Sequence, residues 1–300
     1  MISTPAKACG PISLRPLNNA RGERWLAPGP VVAFNASKVY AGSVSEDYLY
    51  LHVTQPVDSA QLERQTQSLY EELLRLLATQ EHSQLVRVWN YISDINQGSG
   101  DQEIYRRFCY GRALAFEEHF AKARVDFAKP PALPAATAIG SSDGMLRITA
   151  LCARPNVSLT SIENPRQTSA FDYPKKYGVK APLFARATLV QNAGQRLLLL
   201  SGTASIVCHE SMHPSDLYQQ TAETQRNVSA LLEAASQGNT QAQVAPLRPV
   251  SIRYYLRSPG AIADAKHAFQ SAFPAHEEPD FLIGDVCRRD LLMEVEAVYR

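Results

Sequence analysis

The 300-residue sequence lacks a surplus of charge of either sign and lacks any long hydrophobic run. Lys and Arg number 30 and Asp and Glu number 29, which gives a formal net charge of +1 at pH 7. Proteins that bind nucleic acid or acidic membranes usually carry a basic surplus, so we expect neither partner. No stretch approaches the ~18 apolar residues of a membrane-spanning helix. The first twenty residues also lack the apolar segment of a signal peptide.

The sequence contains few cysteines, and their spacing matches no common disulfide or metal-binding motif. The five cysteines are far apart and form no CxxC motif: Cys9, Cys109, Cys152, Cys208 and Cys287. An odd, scattered set is a poor disulfide framework and a poor structural zinc site. The sequence therefore predicts a reduced, cytoplasmic protein.

One generic motif points to zinc hydrolysis, and its context argues against that function. Residues 209–213 read His-Glu-Ser-Met-His, and a zinc site of this type needs both histidines on one face of a helix. Pro214 follows directly, and a proline pushes the preceding residue out of the helical region. We predict a strand-to-helix loop here and expect no metal and no cofactor.

Hydrophobic residues make up 45% of the chain, enough for a sizeable core. Periodicity predicts helices over about 59–78, 101–123, 216–235 and 262–273. Strand patterns occupy 31–53, 85–92, 136–151, 184–190, 195–207, 250–256 and 281–299. This order predicts an α+β fold with helices packed on one face of mixed β-sheets.

The element order recurs in the second half. A shift of 155 residues places Leu62 and the dipeptide Gln65-Thr66 on Leu217 and Gln220-Thr221. The pair Ile139-Gly140 and the strand after it are echoed by Ile283-Gly284 and residues 293–297. The chain therefore resembles two copies of one unit, and a cleft between copies is a natural ligand site.

The last strand carries two glutamates among apolar residues. Side chains alternate along a strand, so Glu294 and Glu296 lie on one face and Met293, Val295 and Ala297 on the other. The pattern alone favours an exposed face for the glutamates over a pocket. The matching strand of the first copy has Arg147 and Thr149 at these positions, which favours the pocket instead.

Four further residues could contact a ligand. Tyr105 and Arg112 share one face of the helix over 101–123, although a snorkelling or structurally paired arginine is the common alternative there. Arg186 is predicted within a short strand over 184–189. Tyr173 lies in the segment between the two copies.

These residues belong to segments that resemble the chorismatases, enzymes that cleave chorismate. The matching segments are RVWNYISDIN (87–96), YRRFCYGRA (105–113), ENPRQTSAFDYP (163–174), FARATL (184–189), SGTAS (201–205) and GDVCRRDLLMEVEAVYR (284–300). The resemblance implies RidA/YjgF-like units in a pseudo-threefold arrangement within one chain, hence a monomer. We divide the chain into an arm (1–25), a first unit (26–154), a linker with site residues (155–183) and a C-terminal unit (184–300).

By the same resemblance, Glu294 is the catalytic residue, and Tyr105, Arg112, Tyr173 and Arg186 bind the substrate. Cys287 and Gly202 match positions that separate the product classes of the family, and here they resemble the branch that forms 3-hydroxybenzoate. The sequence thus predicts a metal-independent enzyme that converts chorismate into pyruvate and 3-hydroxybenzoate. Whether 4-hydroxybenzoate is also formed stays open.

Three alternatives remain at this stage. The product could be a dihydroxycyclohexadiene carboxylate, as in the other branch of the family. The chain could be an imine deaminase of the RidA type, or a protein of this fold that binds a small molecule without turning it over.

Overall fold

A computed structural model describes residues 14–17, 32–122, 132–237 and 246–300. Within these ranges four α-helices are formed: α1 (Leu62–Thr79), α2 (Ile104–Lys122), α3 (Leu217–Gln237) and α4 (Ile262–Ala272). Each lies within three residues of its predicted bounds. The helix α1 shows why, because its leucines recur at helical spacing and are buried on one face. In the described ranges, no helix is long and apolar enough to cross a membrane.

The strands form two large mixed sheets and one small hairpin. The first half contributes β1 (Val32–Asn35), β2 (Ala41–Val44), β3 (Tyr48–Pro56), β4 (Gln84–Ser93), β5 (Ala135–Ser141), β6 (Met145–Ala153) and β7 (Ser158–Ile162). The second half contributes β8 (Ala187–Asn192), β9 (Gln195–Thr203), β10 (Ile206–Val207), β11 (Glu210–Ser211), β12 (Pro249–Leu256), β13 (Asp280–Ile283), β14 (Asp285–Val286) and β15 (Met293–Tyr299). The predicted α+β class is confirmed.

The sheet orders display the internal repeat. The first sheet runs β1-β2-β3-β6-β4-β5-β14 and the second runs β13-β12-β15-β9-β8-β7. The order β3-β6-β4-β5 therefore matches β9-β15-β12-β13, and in both sets the last two strands pair in parallel. A parallel neighbour requires a crossover, which α2 and α4 supply. A third helix-backed sheet, which a threefold arrangement would need, is not formed by the described residues.

Two strands belong to sheets in which the sequence analysis did not place them. The strand β7 lies in the segment interpreted as a linker, yet it forms the edge of the second sheet. The strand β14 belongs to the C-terminal half and pairs with β5 at the edge of the first sheet. The proposed unit boundaries themselves stay a prediction.

Apolar side chains fill three layers. One cluster lies between the first sheet and the helices α1 and α2, and a second lies between the second sheet and α3 and α4. A third cluster joins the two sheets face to face and includes Trp89, Tyr91, Leu199, Tyr255 and Val298. Since helices cover the outer faces, polar residues on the inner faces are enclosed between the sheets.

Candidate active site

A cavity of about 520 Å³ opens between the two units. Its wall combines the helix α2 and the strand β5 of the first unit with β9 and β15 of the second. The volume is within the usual range for small-molecule sites. All seven residues predicted for the site line this cavity: Tyr105, Arg112, Tyr173, Arg186, Gly202, Cys287 and Glu294.

Glu294 lies on β15 and faces the interior between the sheets. Its side chain is buried, with 5% of the residue exposed, so the exposed face that the pattern alone favoured is wrong. Burial raises the pKa of Glu294, and the negative charge of Glu296 raises it further, while Arg87 and Arg186 lower it, which leaves the pKa at about 8. The carboxyl group therefore carries a proton near neutral pH and can act as a general acid.

Glu296 is buried beside Glu294 but is held in the opposite protonation state. Burial alone would raise its pKa, yet Arg87 and Arg253, with a hydrogen bond from Thr137, lower the pKa to about 2. Two carboxyl groups on one strand face thus have environments that separate their pKa values. Such a separation is a mark of acid–base sites.

Arg112 lies on α2 with only 4% of the residue exposed. Its guanidinium group is 5.2 Å from the ring of Tyr70 and 5.4 Å from the ring of Phe116. Its Nε and Nη2 atoms are buried and have no hydrogen-bond partner among the described residues. Buried N–H groups of a cation are costly when unsatisfied. The free donors on the cavity wall are therefore suited to an anion.

Arg186 immediately precedes β8, so its predicted place within a strand is wrong by one residue. It is 4% exposed, and its Nη2 donates to the Thr168 carbonyl at 2.7 Å and to the Tyr173 hydroxyl at 2.9 Å. Its Nε has no partner among the described residues. These bonds fix the guanidinium and leave a donor for a ligand.

Tyr105 and Cys287 remain neutral in the cavity. Burial raises the pKa of Tyr105 well above its usual value, and nearby Cys109 and Cys287 add to the effect. Burial, followed by the charge of Glu294, raises the pKa of Cys287 to about 12. Tyr105 is then a hydroxyl donor, and Cys287 acts as a small polarisable wall residue, since a thiol is a poor nucleophile.

Sequence reasoning missed Arg288, which also lines the cavity. Its guanidinium group stacks 4.0 Å from the Tyr177 ring and 5.2 Å from the Tyr173 ring. It donates to the His209 carbonyl at 2.8 Å, while its buried Nη2 has no partner among the described residues. The segment 284–300 contained this residue, but nothing in its pattern separated Arg288 from its neighbour Arg289.

Within the segment 209–213, residues 210 and 211 form β11, which pairs with β10 in a short hairpin. The segment is not helical, as predicted, but the prediction of a loop over all five residues is wrong, because two of them form a strand. His209 lies 3.1 Å from Glu210, whereas His213 lies 3.6 Å from Glu223 on α3. The two histidines therefore have different partners. In the described ranges, no group of three or more His, Cys, Asp or Glu residues is arranged to hold a metal ion.

The fold and the cavity can be compared with known proteins. A family model described as chorismatase FkbO/Hyg5-like, N-terminal, matches residues 23–152. A 3-hydroxybenzoate synthase from Streptomyces hygroscopicus is 36% identical over 247 residues, which cover 78% of this chain and 68% of the relative. A chorismatase from Streptomyces rapamycinicus is 30% identical over 281 residues, covering 92% and 81%.

A solved structure agrees with these relatives. The crystal structure of a chorismatase superimposes with a TM-score of 0.78 at 29% sequence identity and covers 89% of this chain and 79% of that one. The resemblance read from the segments between 87 and 300 is thus confirmed over most of the chain. The protein, with its two helix-backed sheets and the cavity between them, belongs to the chorismatase family.

Proposed function

We propose that this protein cleaves chorismate into pyruvate and 3-hydroxybenzoate, with Glu294 as the general acid. The observation that carries the proposal is that one cavity holds both the buried Glu294, whose pKa is raised to about 8, and the unsatisfied donors of Arg112. The names of two relatives, a 3-hydroxybenzoate synthase and a chorismatase, support the same substrate and product.

Chorismate is a dianion with one carboxylate on its ring and another on its enolpyruvyl arm. Arg112 from the first unit can bind one carboxylate by paired hydrogen bonds from Nε and Nη2, and Arg186 from the second can bind the other through Nε. The hydroxyl groups of Tyr105 and Tyr173 add donors without adding charge. Binding at both ends restricts the enol ether to a reactive orientation.

The reaction begins with transfer of the Glu294 proton to the terminal methylene carbon of the enol ether. The resulting oxocarbenium-like centre takes up water, the hemiketal collapses, and pyruvate leaves. Loss of one water from the ring then gives 3-hydroxybenzoate, so the water that entered is released again. Without that loss the product would be a dihydroxycyclohexadiene carboxylate.

Arg288 extends this site. Its unsatisfied Nη2 and its stacking on Tyr173 place a third guanidinium close to the residue that Arg186 contacts. We assign Arg186 and Arg288, which both contact Tyr173, to one end of the substrate, and Arg112 to the other. The cavity then offers more positive charge than the substrate dianion, which favours its capture from water.

A product assay tests the function. The purified protein is incubated with chorismate, with and without EDTA, and pyruvate and aromatic acids are separated by liquid chromatography. We expect 3-hydroxybenzoate and pyruvate in equal amounts, unaffected by EDTA, and no turnover by Glu294→Gln. A diol acid would refute the assigned product, and untouched chorismate would refute the function in favour of an imine deaminase or a binding protein. A monomeric, cytoplasmic state stays a prediction.

A further inference from the structure

Glu296 is a buried charged group between the sheets, and it lies outside the substrate cavity. Its residue is 3% exposed. The carboxylate accepts hydrogen bonds from Arg87 Nη2 at 2.9 Å, Arg253 Nη1 at 2.7 Å, Thr137 Oγ1 at 2.6 Å and Trp89 Nε1 at 3.2 Å. Four donors saturate its two oxygens, so the position and the ionised state of Glu296 are fixed.

The donors come from both units. Arg87 and Trp89 lie on β4 and Thr137 lies on β5 of the first sheet, whereas Arg253 lies directly opposite Glu296 on β12 of the second. Arg87 also donates to the Leu200 carbonyl on β9. The negative charge is therefore anchored to two sheets at once, and it cannot move away from the face of β15 that it shares with Glu294.

We propose that Glu296 is a positioning residue for the reaction: an anchored negative charge that keeps the adjacent Glu294 in its acid form. This inference depends on the proposed function. Glu294 and Glu296 are two residues apart on one strand face, which separates them by about 7 Å. At that distance in a buried site, a unit charge shifts a neighbouring carboxyl equilibrium by about tenfold or more.

The remaining neighbours of Glu294 define the balance. The charged groups that act on Glu294 are Glu296 on β15, Arg87 on β4 and Arg186 just before β8. Its titratable neighbours are Tyr105 on α2, Cys287 just after β14 and Tyr255, opposite it on β12. The two tyrosines and the cysteine are neutral, because burial raises their pKa values. Glu296 therefore raises the pKa of Glu294, while Arg87 and Arg186 lower it. When a substrate carboxylate binds to Arg186, it offsets the positive charge of that arginine.

Two substitutions with opposite charge effects test the role. Glu296→Gln removes the negative charge with little change of shape, and we expect the high-pH decline of kcat/KM to move to lower pH by about one unit. Arg253→Gln removes a positive charge from the same network, and the decline should move to higher pH. Glu233→Gln, an exposed glutamate on α3, is the control and should leave the profile unchanged.

Structural damage would lower activity in both variants without moving the profile in opposite directions, and that result would overturn the proposal. If Glu296→Gln does not fold, Arg253→Gln and Glu296→Asp still test the proposal. Glu296→Asp keeps the negative charge, so its pH profile of kcat/KM should match that of wild type. Infrared titration of the protonated Glu294 carboxyl band, with Glu294→Gln as blank, measures the same shift without substrate. A protein that fails to turn over chorismate but shows the infrared shift would refute the function and leave the role of Glu296 intact.

Discussion

Glu294 can occupy its position only because residue 202 is glycine. A Cβ atom built on Gly202 would lie 2.7 Å from Cδ of Glu294 and still closer to its Oε1. The backbone of β9 is therefore one wall of the space that the carboxyl group fills. The atom that must give way is the end of a flexible side chain, so the cost of a methyl group there falls on the position of Glu294 and not on the fold.

Gly202→Ala should accordingly alter chemistry more than stability. We expect kcat to fall by about 10- to 100-fold, because a displaced acid loses alignment with the methylene carbon. The product mixture should also shift toward the dihydroxycyclohexadiene carboxylate, and the midpoint of thermal unfolding should change by only a few degrees. Liquid chromatography of the products and calorimetry measure both. An unchanged product ratio with unchanged kcat would contradict the assigned contact.

The raised pKa of Glu294 predicts the pH dependence of turnover. Burial and the charge of Glu296 place that pKa at about 8, so the acid form dominates below it. We expect kcat/KM to be level between pH 6 and about 7.5 and to fall tenfold per pH unit well above 8. Steady-state rates across this range, in buffers of constant ionic strength, provide the profile. A decline beginning near pH 5 would exclude Glu294 as the proton donor.

The sequence predicted the helices and most strands because periodicity is a local property. It did not predict β7, which lies in the segment interpreted as a linker. It predicted a strand pattern over 281–299 that includes β14, but not the pairing of β14 with β5, because that partner lies more than 140 residues earlier. The internal repeat could be predicted from the sequence, and the structure agrees with it: matched strands such as β6 and β15 occupy equivalent positions in their sheets.

For the site, the sequence identified the residues but not their burial. Glu294, Arg112, Arg186 and the two tyrosines were identified through their segments, but the pattern of β15 alone favoured exposure for its glutamates. The inner faces of the two sheets cover each other, and a single strand carries no sign of that second sheet. A signal did exist in Arg87 and Arg253, which stand in the middle of apolar strands and so required an enclosed anionic partner.

Glu294 should also make the stability of the protein depend on pH. Its pKa is near 4.5 when exposed and about 8 in the fold, so the folded state binds the proton more tightly. The associated stability is complete below pH 4.5 and is lost as the pH rises through 8. Glu294→Gln has no titrating group at this position, so its stability does not fall in this way. The free energy of unfolding of the variant minus that of wild type should therefore rise by on the order of 3 kcal/mol between pH 5 and 9. Denaturant unfolding of both proteins at several pH values tests the difference, and a constant difference would contradict the raised pKa.

Substitution of Arg112 and of Arg186 should change the thermal stability in opposite directions, because the two side chains differ in how many of their N–H donors have hydrogen-bond partners. Arg186 donates to Thr168 and Tyr173, whereas two donors of Arg112 have no partner among the described residues. Arg112→Met should therefore unfold at a higher temperature than wild type when no ligand is bound, while Arg186→Met should unfold at a lower one.

Both substitutions should weaken binding of chorismate. In a Glu294→Gln background, which prevents turnover, we expect the Kd to rise by about 10- to 100-fold in each case, since each removes a charge-assisted pair with a carboxylate. Isothermal titration calorimetry measures this change. Arg107→Gln is the matched control, because Arg107 lies on the same helix but binds Glu63 at 2.6 Å outside the cavity. If Arg112→Met loses stability and retains affinity, the guanidinium serves the packing of α2 and does not bind the substrate.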